Sequence, residues 1–289
     1  MSPKTPPRVT TPESVKAPIP LLSIRGLGIR IGEGPGAKQL LEGVDLTVGR
    51  GEIVGLVGDS GCGKTLTGLA VLGLLPPGIQ VTAGSIELEG HGDLFQLPSE
   101  SLRRVRGRQV GMVFQDASNA LNPLLTVGFQ IAEGLRVHRG LRGGEARRRG
   151  IELLRRVAIP DPESRWNAYP HELSGGQQQR AMIAMALAPE PRLLLADEPT
   201  TALDVTVQAQ VLDLLADLRR ELGLSVLLVT HNLAVVANVC DRVSVMADGG
   251  IAEAAPTREI FRRPRHPETR RLLAAARAES SSTPAVAVP

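Results

Sequence analysis

The sequence predicts an α/β fold, with a mainly parallel sheet covered by helices on both faces, an antiparallel edge and an inserted helical subdomain. Three observations carry this. Short runs of Val, Leu and Ile recur between longer stretches with helical spacing, the pattern of strands buried on both faces and joined by crossover helices. The stretch from Leu21 to Val48 alternates instead and is broken by glycine, as antiparallel strands are. From about residue 116 to 170 no strand pattern occurs, and Arg, Leu, Glu and Ala dominate.

Each element follows in chain order. Residues 1–20 carry Pro3, Pro6, Pro7, Pro12, Pro18 and Pro20 among Thr, Ser and Lys, the composition of a disordered leader. The globular domain is placed at 21–270. Ile53-Val54-Gly55-Leu56-Val57 is a strand bounded by glycine, and a helix is expected over Leu66 to Leu75. Further strands are expected at Leu193-Leu194-Leu195-Ala196, Ser225-Val226-Leu227-Leu228-Val229 and Val243-Ser244-Val245-Met246. Between the first two of these, Val211, Leu214, Leu215 and Leu218 recur at helical spacing within Val207 to Leu222. The Arg147-Arg148-Arg149 run reads as the solvated face of the inserted helices. Residues 271–289, with Ser280, Ser281 and Ser282 leading to Pro289, are expected to be a largely disordered tail.

Composition narrows the function classes. With 42% hydrophobic but only 2% aromatic residues, the core must be built from aliphatic side chains. The net charge of +3 is a mild excess that a solvated basic surface accounts for, so no nucleic-acid partner is expected. Cys62 and Cys240 are the only cysteines, too few for a zinc site or a disulfide framework, which fits a reducing compartment. No apolar run approaches the roughly 18–20 residues that span a bilayer, and no signal peptide pattern opens the chain. The expected location is therefore cytoplasmic.

Gly58-Asp59-Ser60-Gly61-Cys62-Gly63-Lys64-Thr65 fits G-x-x-x-x-G-K-[ST] at every fixed position. Glycine lets successive N–H groups turn inward onto phosphate oxygens, and the following helix points its positive end at the same anion. Lys64, one of only four lysines, would reach the β- and γ-phosphates of ATP, and the Thr65 hydroxyl would ligate Mg²⁺. Downstream, the apolar run 193–196 ends in Asp197 and Glu198. Side chains of neighbouring strand residues point opposite ways, so Asp197 would hold the magnesium through water while Glu198 polarises the attacking water. His231 follows the next strand, at the edge where open α/β sheets collect ligand groups, and would bridge the γ-phosphate and Glu198.

Leu173-Ser174-Gly175-Gly176-Gln177, followed by Gln178-Gln179-Arg180, is a second anion-binding pattern at a helix start. With the phosphate loop, the Asp-Glu strand and His231 in this order, the chain resembles the ATP-binding-cassette (ABC) ATPases, P-loop NTPases, over roughly Leu21 to Thr269. The resemblance implies ATP hydrolysis coupled to transport. It implies that Gln115 senses magnesium and the γ-phosphate at the start of the helical subdomain, which meets the membrane partner. It implies that Thr201-Ala202-Leu203-Asp204 crosses between two subunits, and that Ser174, Gly175, Gly176 and Gln177 contact nucleotide held by the opposite subunit. The family usually stacks adenine on an aromatic residue where this chain has Ile31. Losing that contact is expected to cost about 1 kcal/mol, giving modest ATP affinity or tolerance of GTP.

Tyr169-Pro170-His171-Glu172, Asp197 through Gln208, and Arg265-His266-Pro267-Glu268-Thr269 followed by Leu272-Leu273 resemble the dipeptide, oligopeptide and nickel importers. An aromatic usually follows His-Pro in that branch, where this chain has Glu268, and neither cysteine lies where some relatives carry an iron–sulfur cluster. The resemblance implies a second ATPase subunit, identical or different, two membrane permeases, an extracytoplasmic solute-binding protein, and a peripheral place on the cytoplasmic membrane face. The alternatives are transport of nickel, metal chelates or other solutes, export of a peptide-like compound, a non-transport ABC ATPase acting on nucleic acid or ribosomes, and a regulatory module without turnover. The single short insertion argues against the nucleic-acid and ribosome class, and Glu198 with His231 against a module without turnover.

Overall fold

A computed structural model describes residues 20–201 and 203–282, so nearly all of the expected leader lies outside the described residues. The chain opens with β1 (Leu22–Ile31), β2 (Lys38–Val48) and β3 (Ile53–Val57), followed by α1 (Lys64–Leu72). Next come β4 (Ile79–Leu88), β5 (Gly92–Asp93), α2 (Ser99–Arg108) and β6 (Val110–Val113). A helical stretch follows, with α3 (Ala117–Ala120), α4 (Val127–Gly134), α5 (Gly143–Arg156), α6 (Pro162–Arg165) and α7 (Gly175–Leu187). The chain ends with β7 (Leu193–Asp197), α8 (Val205–Leu222), β8 (Ser225–Thr230), α9 (Leu233–Val239), β9 (Arg242–Ala247), β10 (Gly250–Pro256), α10 (Thr257–Arg262) and α11 (Pro267–Ser282).

Two sheets result. One, ordered β2-β1-β4-β5, is antiparallel throughout. The other, ordered β10-β9-β3-β8-β7-β6, is parallel except for β10, which pairs antiparallel with β9. The alternation along the parallel strands divides their side chains between two cores. Val54, Leu56, Leu193, Leu195, Leu227 and Val229 join Leu22, Ile24, Leu27 and Ile29 of the antiparallel sheet. Ile53, Val57, Leu194, Ala196, Val226 and Leu228 face the helical side. The antiparallel strands thus form their own sheet over one face of the parallel one, because β1 has an apolar row that only another apolar face can bury.

Trp166 organises the inserted helices. A Cβ on Gly150 of α5 would sit 2.0 Å from its ring, and one on Gly128 of α4 would sit 2.4 Å from it. Two glycines therefore let both helix backbones approach the indole, which is 8% exposed. At the other end, the stretch expected from residue 271 to be a disordered tail continues α11 through Ser282, while 283–289 lie outside the described residues. Buried Leu272 and Leu273 pack into the helical-side core with Ile260, Val235 and Val236, and that burial holds the helix.

Candidate functional site

The ends of β3, β8 and β7 lie side by side. Val57 is paired with Thr230 and Asp197 with Val229, so the residues that follow all emerge at one sheet edge. Gly58–Thr65 leaves β3 there and enters α1. Gly63 caps the helix at φ 110°, in the left-handed region, and a Cβ on it would lie 2.2 Å from a Leu41 methyl. A Cβ on Gly58 would lie 2.2 Å from the Met246 carbonyl oxygen. Among the described residues, the N–H groups of Gly61, Gly63 and Thr65 have no backbone hydrogen-bond partner, and that of Lys64 meets only the Cys62 sulfur, so donors at this helix start are open to an anion. Lys64 is 5% exposed and donates to the carbonyls of Gly58 (2.8 Å) and Asp59 (2.6 Å).

Across from the loop, the Thr65 hydroxyl donates to the Asp197 carboxylate at 3.1 Å. Burial pushes the Asp197 carboxyl above its usual range, only partly opposed by that hydrogen bond. A buried carboxylate short of positive charge, next to a hydroxyl oxygen, is a donor set that fits a hard divalent cation such as Mg²⁺. Glu198 is not the strand neighbour expected from alternation. β7 stops at Asp197, and Glu198 turns into the left-handed region at φ 45°, held by its N–H donating to Val229 O at 2.9 Å. The left-handed backbone at Glu198, rather than strand pleating, sets the course of the residue after Asp197.

Glu198 is the hub of the edge. Its Oε1 lies 3.0 Å from His231 Nδ1, and its Oε2 accepts from Gln115 Nε2 (3.0 Å) and Thr201 Oγ1 (2.9 Å). Burial would raise its carboxyl, but the donors from His231 and Thr201 outweigh burial and hold it below the usual range. An ionised carboxylate only accepts, so Nδ1 is the protonated nitrogen of His231 here. The turn after β8 is fixed by Asn232 N–H donating to Thr230 Oγ1 at 3.1 Å. The structure therefore joins Gln115, Glu198 and His231 directly, and Thr65 with Asp197. It records no bond from Gln115 to Thr65 or Asp197.

Ser174 stands apart from the loop. It caps α7 in a reciprocal box with Gln177, donating from Gln177 N–H to Ser174 Oγ at 3.4 Å and from Ser174 N–H to Gln177 Oε1 at 3.2 Å. A depression of about 440 Å³ opens beside it, lined by Ser174, Gly175, Gly176, Arg180, Asp204 and Val207 but by no residue of the phosphate loop. Asp204 caps α8 by accepting from Val207 N–H at 2.9 Å, and Ala202 lies outside the described residues. Ile31, at the end of β1, is 42% exposed. Two residues at the site escaped the sequence reading. In the sequence Thr201 belongs to a loop motif, and its one local signal is a hydroxyl three residues after Glu198, a turn signal. Arg271, which reaches Asp59 from α11, carries no local signal, since it lies in the stretch whose composition predicts a tail.

A family model described as ABC transporter matches residues 41–201. A peptidoglycan transport ATP-binding protein of Agrobacterium fabrum is 49% identical over 257 residues, covering 89% of this chain and 47% of its own length. A putative peptide import ATP-binding protein of Brucella melitensis is 51% identical over 259 residues, covering 88% of this chain and 77% of its own. The chain thus spans about half of the first relative and about three quarters of the second. Among solved structures, the dimeric post-hydrolysis state of the ATP-binding cassette MJ0796 bound to ADP and Pi is similar at TM-score 0.72 and 31% identity, over 82% of this chain and 98% of that one. The cbiO1 protein of Clostridium perfringens, part of the ABC transporter complex cbiONQ, is similar at TM-score 0.73 and 28% identity, over 84% and 91%.

Proposed function

This chain belongs to the ABC transporter family, and from that premise we propose that it is the ATP-hydrolysing subunit of an importer, with peptides as cargo. The Glu198 hub carries the reading, since a carboxylate gripped by Gln115, Thr201 and His231 stands at the same sheet edge as the phosphate loop. The cargo class follows the name given to the Brucella relative, and peptidoglycan fragments are the second choice because of the Agrobacterium one.

The residues divide the work. ATP phosphates sit on the N–H groups of Gly58–Thr65, and Lys64 exchanges the Gly58 and Asp59 carbonyls for phosphate oxygens. Thr65 and Asp197, with Gln115 once it leaves Glu198, would hold Mg²⁺, which neutralises charge on the phosphates when bound. Glu198 orients and polarises the attacking water. Release of the Gln115 hydrogen bond would free a lone pair on Oε2 to accept from that water. Gln115 lies between β6 and α3, at the entrance to the inserted helices, so that release is tied to their movement. With its Nδ1 on Glu198, His231 would turn Nε2 toward the γ-phosphate; its side chain is 54% exposed.

The depression beside the Ser174–Gln177 motif is lined by no residue of the phosphate loop, and the motif is assigned to the nucleotide of a second ATPase subunit, identical or different. The inserted helical stretch exposes Leu124, Phe129 and Val137, apolar surface suited to one of two membrane permeases. No described helix is long and apolar enough to cross a membrane, so the proposed location is peripheral, on the cytoplasmic face, with a solute-binding protein outside. Purification of the tagged chain from membranes tests this. Recovery of two permeases and a second ATPase is the expected result, and recovery of ribosomes or nucleic acid instead would refute it.

A further inference from the structure

We propose that Arg271 is a positioning residue for nucleotide binding, reaching from α11 to neutralise Asp59, the one acidic side chain in the phosphate loop. The guanidinium of Arg271 pairs with the Asp59 carboxylate and with Glu268, one helical turn before it. Glu268 grips it further through Nε, at 3.2 Å to Oε1 and 3.0 Å to Oε2, so the arginine is aimed before it meets the loop. Glu268 stands where the resemblance implies an aromatic, and its side chain is seen to hold Arg271. Leu272 and Leu273, the next two residues, are 8% and 4% exposed and fasten the helix to the core.

The reason such a residue is needed is electrostatic. The loop attracts a polyanion with unpaired N–H groups and Lys64, and a bare carboxylate at Asp59 opposes that attraction. The main chain of Asp59 is engaged as well, because its carbonyl holds the Lys64 ammonium at 2.6 Å. Arg271 therefore cancels the charge of Asp59 and steadies the residue from which Lys64 departs. Both side chains are about half exposed, 53% for Arg271 and 58% for Asp59, so the effect belongs to the range of surface pairs and is screened by salt.

This inference rests on nucleotide binding at Gly58–Thr65, and the experiment separates the two. A fluorescent ATP analogue is titrated into the full chain at low and high salt, with ATP turnover measured in parallel. Arg271→Ala is expected to weaken binding about three- to fivefold at low salt and to raise KM by the same factor with kcat within about twofold, the loss shrinking at high salt. Arg271→Lys restores most of it. In an Asp59→Asn background, Arg271→Ala has no further effect, since the charge to be cancelled is gone. Equal binding by wild type and Arg271→Ala, or an equal loss in both backgrounds, overturns the proposal. Should Arg271→Ala fail to fold by its melting curve, Asp59→Asn alone decides, being expected to bind at least as tightly as wild type, and weaker binding overturns the idea. A wild type that does not bind, or a Lys64→Ala variant that binds equally well, overturns the nucleotide reading and this inference with it.

Discussion

Glu198→Gln removes one charge and keeps the shape of the side chain, and the hub can be rebuilt around it. The amide oxygen can take the place of Oε2 and accept from Gln115 and Thr201, now 3.0 and 2.9 Å away. The amide N–H then faces His231, whose other neutral tautomer accepts at Nδ1 and presents Nε2–H to the nucleotide. ATP binding is therefore expected to survive. Exchanging charge-assisted hydrogen bonds for neutral ones costs about 1 kcal/mol, a fall of about 2–4 °C in Tm for a chain of this size. Turnover suffers far more, because the water loses its carboxylate: kcat should drop about 10²–10⁴-fold, or about 2.7–5.5 kcal/mol in the barrier. The stability difference has a pH signature. A carboxyl held below its unfolded value stabilises the fold above that value, here 4.5, and the stabilisation is lost as pH falls through the folded one. The two melting temperatures should thus converge on acidification below pH 4.5. Phosphate release, nucleotide titration and melting curves are the assays. Turnover within threefold of wild type refutes the role given to Glu198.

Three further outcomes are expected. Ile31→Tyr, at an exposed position at the end of β1, should tighten ATP binding by about 1 kcal/mol, roughly fivefold, and equal affinities would remove the stacking argument. Gly150→Ala, whose Cβ would meet the Trp166 ring at 2.0 Å, should lower stability by about 1–3 kcal/mol in a denaturant titration followed by circular dichroism. Asp197→Asn relieves a carboxylate that burial penalises, so without nucleotide its Tm near neutral pH should rise, while the magnesium dependence of nucleotide binding disappears. A Tm that falls instead would show that the Thr65 hydrogen bond outweighs burial.

The parts of this molecule that local chemistry dictates were legible in its sequence. The strand at Ile53–Val57 lies where its apolar run places it, and β7 and β8 extend one residue past theirs, because strands buried on both faces leave no other pattern. The turn from β3 into α1 at Gly58–Thr65 is likewise a matter of residue type and spacing. Pattern does not mark strands β4 and β6: β4 has mostly exposed or half-exposed residues, and β6 is only four residues long. What remained hidden depends on contacts distant in sequence. The pairing of Arg271 with Asp59 spans 212 residues, and the reversed backbone at Glu198 is set by Val229 on the adjoining strand. The fit of one indole against Gly128 and Gly150 is equally invisible to local pattern.

That indole has a use in experiment. Trp166 is the only tryptophan in the chain, and the only tyrosine, Tyr169, is three residues away. All of the intrinsic ultraviolet emission from indole therefore originates in the inserted helices, while the phosphate loop and its carboxylates are optically silent. A change in that emission when nucleotide is added would report motion passed from the site to the helices, in the unlabelled protein and in real time.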